Sequence, residues 1–181
     1  MRADDATLQH AVQRAQNGDD EAFVDMYRIV QPGLLGYLRG LVGESAEDVA
    51  SDAWLEIARD LGRFRGDGAG FRGWTATIAR NRALDHLRCL RSRPLTAPFA
   101  SDTLHLPAPG ETACEALEAM STAEALARVT ALPPDQAEAV LLRVVIGLDG
   151  PASARVLGKR VGAVRSAAHR GLKRLAKELL G

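Results

Sequence analysis

Between Pro94 and Gly110 the chain carries Pro94, Pro98, Pro107, Pro109 and Gly110, with no sustained helical or strand periodicity. Proline fixes φ and lacks an N–H, so no helix or sheet ladder runs through such a stretch. The 181 residues are therefore predicted to fold as two pieces, 1–93 and 113–181, joined by a proline-restricted linker at 94–112. Both pieces read as helical. No alternating β-branched run bounded by turns is present. The nearest candidate, Leu141–Leu148, continues the helical spacing of Ala137, Val140, Leu141 and Val144. The predicted fold class is all-α: two small helical domains, the second carrying a helix-turn-helix.

In the first piece, apolar spacing predicts helices over 8–17 and 20–30, a break at Pro32, and a further helix resuming at Leu34 and ending at Gly43. Ser45, with Asp48 three residues on, reads as the N-cap of a helix reaching about Leu61. Four glycines within 62–70 predict a loop, and a last helix is expected from Gly73 to Arg91. In the second piece, helices are expected from Cys114 to Leu132, from Pro134 to Gly147, from Gly150 to Leu157 and from Val161 to Leu180. Pro134 is tolerated in a first turn. The core face of the last helix is predicted to be Val161, Val164, Ala168, Leu172 and Leu175.

The net charge is zero, but the charges are sorted. Residues 1–59 carry net −6, 60–93 net +5, 94–149 net −6 and 150–181 net +7. Two separate basic blocks point to two contacts with a polyanion. No run of 18 apolar residues exists, and the N-terminus lacks a basic n-region and an apolar h-region. Cys89 and Cys114 have no metal-ligand spacing. A cytoplasmic chain with reduced thiols, without cofactor or metal, is expected. The four histidines are scattered and no hydrolase, metalloprotease or phosphate-loop motif occurs, so no enzyme is predicted.

Three constellations carry the functional signal. The first is the pair of helices joined at Gly158, the second helix presenting Arg165, Ser166, His169, Arg170 and Lys173 away from Val164 and Ala168. Such a helix can read base edges in the major groove, while Arg160, Arg174 and Lys177 suit phosphates. The second combines Arg63, Arg65, Arg72, Arg80, Arg82, Arg88, Arg91 and Arg93 with Phe64, Phe71 and Trp74, and Asn81 could bond a base edge. Arginine interleaved with aromatics suits unpaired bases, although Phe71 and Trp74 equally suit a core. The third is the acid row Asp48, Asp52 and Glu56 on one helix face, either a solvated surface or a docking face for a basic partner.

The stretches "AEDVASDAWLEIARDLGRF" and "FRGWTATIARNRALDHLR" resemble regions 2.2 to 2.4 of bacterial sigma factors. "LPPDQAEAVLLRVVIGL" and "VLGKRVGAVRSAAHRGLKRL" resemble their region 4. With nothing but a linker between the two, the chain is similar to the extracytoplasmic-function (ECF) class. The resemblance implies that Asp48, Asp52, Trp54 and Glu56 lie in the segment that docks on the clamp helices of the largest polymerase subunit, with the flap as a further contact. It implies capture of a melted −10 element by Phe64, Arg65, Phe71, Arg72, Trp74, Arg80, Asn81, Asp85 and Arg88. It implies reading of −35 DNA by Lys159, Arg160, Arg165, Ser166, His169, Arg170, Lys173 and Arg174. Core RNA polymerase, promoter DNA and an anti-sigma factor acting in trans are the implied partners. The chain departs from the family at Ser51 (usually Gln), Thr75 (Leu), Pro151 and Ala152 (acidic), Ser153 (Ile) and Ala167 (Arg). These departures imply a less tightly packed first helix of the helix-turn-helix and an altered −35 preference. A dimeric helix-turn-helix regulator and a sigma mimic that occupies an anti-sigma factor are the competing readings.

Overall fold

A computed structural model describes residues 3–92 and 113–180. The expected linker at 94–112 lies outside the described residues. The first group of helices is α1 (Ala3–Gln16), α2 (Asp20–Val42), α3 (Ala46–Asp60) and α4 (Gly68–Ser92). The second is α5 (Ala113–Thr130), α6 (Pro134–Val140), α7 (Gly150–Leu157) and α8 (Val161–Leu180). No strand occurs among the described residues.

α2 is the axis of the structure. It packs against α1, α3 and α4 on its own side and against the segment Leu141–Ile146 of the second group. The sequence predicts a break at Pro32, yet α2 runs through it unbroken. An internal proline costs about 3 kcal/mol. Val30, Leu34, Tyr37 and Leu38, all buried around it, each return roughly 1.5–3 kcal/mol. Burial wins, and the two expected helices are one. Asp19 caps α2, its Oδ1 accepting from Ala22 N at 3.0 Å while Arg14 donates to Oδ2, so one carboxylate joins α1 to α2. The Ala22 amide and the Arg14 guanidinium hold that carboxyl below its usual range.

Four further expectations are corrected. Ser45 makes no side-chain cap; a 3₁₀ turn, Gly43–Ser45, leads into α3, and the Ser45 backbone is too close to helical for the cap geometry. The glycine loop is short, because α4 begins at Gly68, where Asp67 accepts from Gly70 N at 2.7 Å. The core face of α8 is Val164, Ala167 and Ala168, with Leu175 half-buried, whereas Val161 and Leu172 are exposed. The expected helix 134–147 divides into α6 and a π-helical stretch, Leu141–Ile146, which Gly147 ends at φ 81°. π stretches are rare and cluster at functional positions.

Asp149 caps α7 by accepting from Ala152 N at 2.7 Å, and Pro151 occupies its first turn. Gly158, at φ 63°, turns the chain from α7 toward α8, a conformation an L-side chain rarely adopts. Ser153 on α7 is fully buried and its hydroxyl has no hydrogen-bond partner. An unsatisfied buried hydroxyl costs about 1–3 kcal/mol. Ser153→Ala is therefore expected to stabilise the protein by about 1 kcal/mol, raising Tm by roughly 2–4 °C. A thermal melt showing a lower Tm contradicts the assignment.

Candidate polymerase and nucleic-acid interfaces

On α3, Asp48 and Asp52 are exposed one turn apart. Glu56, the next in the row, is tied down: Arg82 on α4 donates through Nε to its Oε2 at 2.6 Å. Trp54 points the other way. It is buried against Phe23 and Tyr27, with ring centroids at 6.2 and 4.7 Å, and its Nε1 donates to Gln31 Oε1 at 2.6 Å. The structure thus gathers Asp48 and Asp52 on an open face and puts Trp54 in the core beneath it. Leu55, 71% exposed, shares that face, three residues after Asp52 and seven after Asp48. Sequence reasoning missed it because an apolar residue in an amphipathic helix reads as core by default; its spacing from the two acids was the available signal.

In α4 and the turn before it, Phe64, Phe71 and Trp74 form one aromatic cluster, with centroids 5.1–5.5 Å apart. Phe71 is fully buried, while Phe64 and Trp74 are half-buried. Arg65 donates to the Gly62 and Phe64 carbonyls at 2.7 Å each. The arginines of this basic block are largely engaged within the protein. Arg72 is buried and pairs with Asp5 Oδ1 at 3.2 Å, fastening α1 to α4. Arg80 pairs with Glu138 of α6 at 2.7 Å. Arg63 pairs with Asp60 at 3.2 Å, and Arg88 with Asp85 at 2.6 Å. Asn81 is exposed.

Glu138 is the meeting point of three elements. Its Oε1 accepts from Tyr37 Oη at 3.0 Å and from Arg80 Nε at 2.7 Å. Hydrogen bonding to that carboxylate pushes the Arg80 guanidinium pKa up, against its partial burial. Burial, then the Glu138 charge, raises the Tyr37 phenol above its ordinary value.

α8 differs. Lys159, Arg160, Arg165, Ser166, His169, Arg170, Lys173 and Arg174 are all exposed. Lys159 and Arg160 stand just before the helix; the others lie on it outside the inward stripe of Val164, Ala167, Ala168 and Leu175. None of these cations has an ion-pair partner among the described residues. Ala167 is a core residue, so its side chain is not on the outward face where the family's usual Arg was expected to matter.

Two family models match the chain: Sigma-70 region 2 over residues 26–93 and Sigma-70 region 4 over 122–175. The sigma factor BldN of Streptomyces coelicolor is 34% identical over 180 residues, spanning 98% of this chain and 67% of that protein. The sigma factor SigD of Mycobacterium tuberculosis is 32% identical, spanning 96% of this chain and 84% of its own length. The chain belongs to the ECF sigma factors. Its fold is also that of the solved CnrH in its complex with the cytosolic domain of CnrY (TM-score 0.64, 21% identity, 94% and 96% of the two chains). It matches RpoE of Bartonella quintana in its complex with NepR as well (TM-score 0.62, 22% identity, 87% and 96%). This sigma factor binds core RNA polymerase and promoter DNA to initiate transcription, and sigma factors in general are not enzymes. Among the described residues no helix is long and apolar enough to cross a membrane. A dimeric regulator reading leaves the region 2 match unexplained.

The raised Tyr37 pKa gives a signed pH dependence. Above the unfolded phenol's pKa of about 10, the unfolded state loses a proton that the folded state keeps, so stability falls as pH rises, by up to about 1.4 kcal/mol per pH unit. Denaturant melts between pH 10 and 11 are expected to show a shallower loss for Tyr37→Phe than for the native chain. Equal slopes contradict the buried, protonated phenol.

Proposed function

We propose that residues 1–93 dock this sigma factor on core polymerase and capture the −10 element, and that residues 113–181 read the −35 element. In this reading Asp48, Asp52 and Leu55 form the polymerase-facing patch, an apolar centre within an acidic rim. Glu56 acts by bracing α4 through Arg82, and Trp54 by supporting the face from beneath. Phe64 and Trp74 offer ring faces to unpaired bases, and Asn81 a base-edge contact. Phe71 and Arg72 hold that surface in shape from the core. Arg65, Arg80, Asp85 and Arg88 complete the −10 contacts once their internal partners release them.

The observation that carries the reading is the exposed, unpaired basic face of α8, set directly after the Gly158 turn and opposite a buried stripe. Arg165 and Ser166, near the helix start, suit base edges; Arg170 and His169 continue that row; Lys159, Arg160, Lys173 and Arg174 suit phosphates. The 20 residues between Ser92 and Ala113 can reach across roughly 70 Å, ample for two promoter elements. The reading needs no catalytic residue, metal or cofactor. An anti-sigma factor in trans and a cytoplasmic location complete it; CnrH and RpoE, which share the fold, were solved bound to CnrY and NepR.

The test adds the purified chain to sigma-free bacterial core polymerase on genomic DNA and sequences the run-off transcripts. Discrete start sites sharing two upstream elements are expected; absence of polymerase binding overturns the reading. Arg165→Ala should cost about 1–3 kcal/mol at its base position and relax the −35 preference there. Lys173→Ala should instead weaken all sequences alike and reduce the salt slope of DNA binding by about 1.

A further inference from the structure

α6 and α8 touch closely at one end and part at the other. At the close end a Cβ on Gly171 would stand 2.8 Å from Val140 Cγ2, 3.3 Å from Leu132 Cδ1 and 3.4 Å from Gln136 Cβ. Toward the start of α8 the residues facing that space are small. A Cβ on Gly162 would meet nothing within 4 Å, and Ala163 and Ala167 follow on the same stretch of helix. The space they leave is a cavity of about 370 Å³ between α6, the end of α7 and α8. Its floor is apolar and buried: Ala139, Leu157, Val164 and Ala167. Helical interiors close-pack, so voids much larger than a water are few. A cavity of this size with an apolar floor falls in the range of small-ligand sites, about 300–1,000 Å³.

The rim is charged, and the charges are unmatched. Asp135, Lys159 and Arg170 border the cavity and are exposed. None of their side chains has an ion-pair partner among the described residues. The contact between Gln136 and Gly171 puts their chain neighbours, Asp135 and Arg170, at one end of the cavity. Lys159, which precedes α8, stands at the other, about 14 Å away by the helical rise, with Ser166 between them. One end therefore offers a cation alone. The other offers an acceptor beside a donor, which suits a hydroxyl giving its hydrogen to Asp135 and accepting from Arg170. Two cations and one carboxylate leave one positive charge for a ligand to match.

We propose that this cavity binds a small, elongated organic acid, its carboxylate on Lys159, its apolar body over Ala139, Leu157, Val164 and Ala167, and a hydroxyl at its far end between Asp135 and Arg170. Occupancy competes with DNA for Lys159, Ser166 and Arg170, because a side chain turned into the cavity is withdrawn from the outward face of α8. This second part rests on the DNA-reading role of α8. By linkage, DNA lowers the affinity for the acid by the same factor as the acid lowers that for DNA.

The experiment titrates the full chain, by calorimetry, with 4-hydroxyphenylpropionate. Its methyl ester lacks the charge and phenylpropionate lacks the hydroxyl. The acid is expected to bind, and each comparator to bind about tenfold more weakly, the size of one hydrogen bond to a charged group. Lys159→Gln is expected to weaken the acid about tenfold and leave the ester unchanged. Asp135→Asn is expected to weaken the hydroxy acid and leave phenylpropionate unchanged. Ala163→Leu, which fills the cavity, is expected to abolish binding of all three, with helix content by circular dichroism unchanged. These crossed comparisons separate a contact from a fold defect. A merely wet groove between two helices takes up none of the compounds. Absence of binding at millimolar acid, equal affinity for acid and ester, or undiminished binding by folded Ala163→Leu overturns the site. At an acid concentration ten times its Kd, duplex DNA binding is expected to weaken about tenfold in the native chain and not in Ala163→Leu. Unchanged DNA affinity overturns the competition. If the chain binds the acid but no DNA at low salt, the reading of α8 fails, while the site stands.

Discussion

The structure depends on α2 staying continuous through Pro32. Had the helix broken there, Asp19 would cap a helix of about three turns, and Tyr37 would belong to a separate, reoriented segment. Continuity instead places Ala22, Met26 and Val30 on the α1 and α3 side in register with Leu34, Tyr37 and Leu38 further along. The same continuous helix therefore organises the first domain and offers Gly33, Gly36 and Gly40 to the second. The proline's local cost is offset by the burial on either side of it, and a contest of that kind is decided by tertiary packing, which no local pattern displays.

Much of the fold is legible in the sequence because its punctuation is strong. Gly158, Gly147 and Pro134 end or begin helices where their backbone preferences say they should. Asp149 adds a cap that the sequence reading omits, an acid immediately before the first turn of α7. The misses have common physical causes. Ser45 has the right side chain for a cap, but the 3₁₀ turn fixes its backbone elsewhere. Apolar spacing puts Val161 and Leu172 on the inner face of α8, whereas the expected Val164 and Ala168 are joined there by Ala167. Tight helix packing selects small side chains, and a search for large apolar residues passes over Ala167.

The candidate sites are legible in composition and less so in availability. The basic blocks at 60–93 and 150–181 look alike in sequence. In the fold they diverge: Arg63, Arg72, Arg80, Arg82 and Arg88 each meet a carboxylate, three of these from other helices, whereas the α8 cations meet none among the described residues. The partners Asp5, Glu56 and Glu138 lie 67, 26 and 58 residues away along the chain, so no local window reveals them. Net charge counts what a segment carries, not what it has left to offer a ligand.

That difference separates the two basic surfaces of this sigma factor. The α8 face is open, so the exposed cations on which attraction to a DNA backbone and the release of its counterions depend are available there. On α4, Arg72, Arg80 and Arg82 meet buried or half-buried carboxylates while Arg88 pairs with the exposed Asp85, and the release of Arg80 would leave Glu138 either solvated or paired anew. Exchanging an internal carboxylate for an external phosphate is close to neutral in charge terms. Charge alone therefore does not decide it: Glu138 also accepts from the buried Tyr37 phenol, so the pair is held by packing as well as by attraction. Internal pairing on α4 and open cations on α8 thus distinguish two surfaces that the sequence presents as alike.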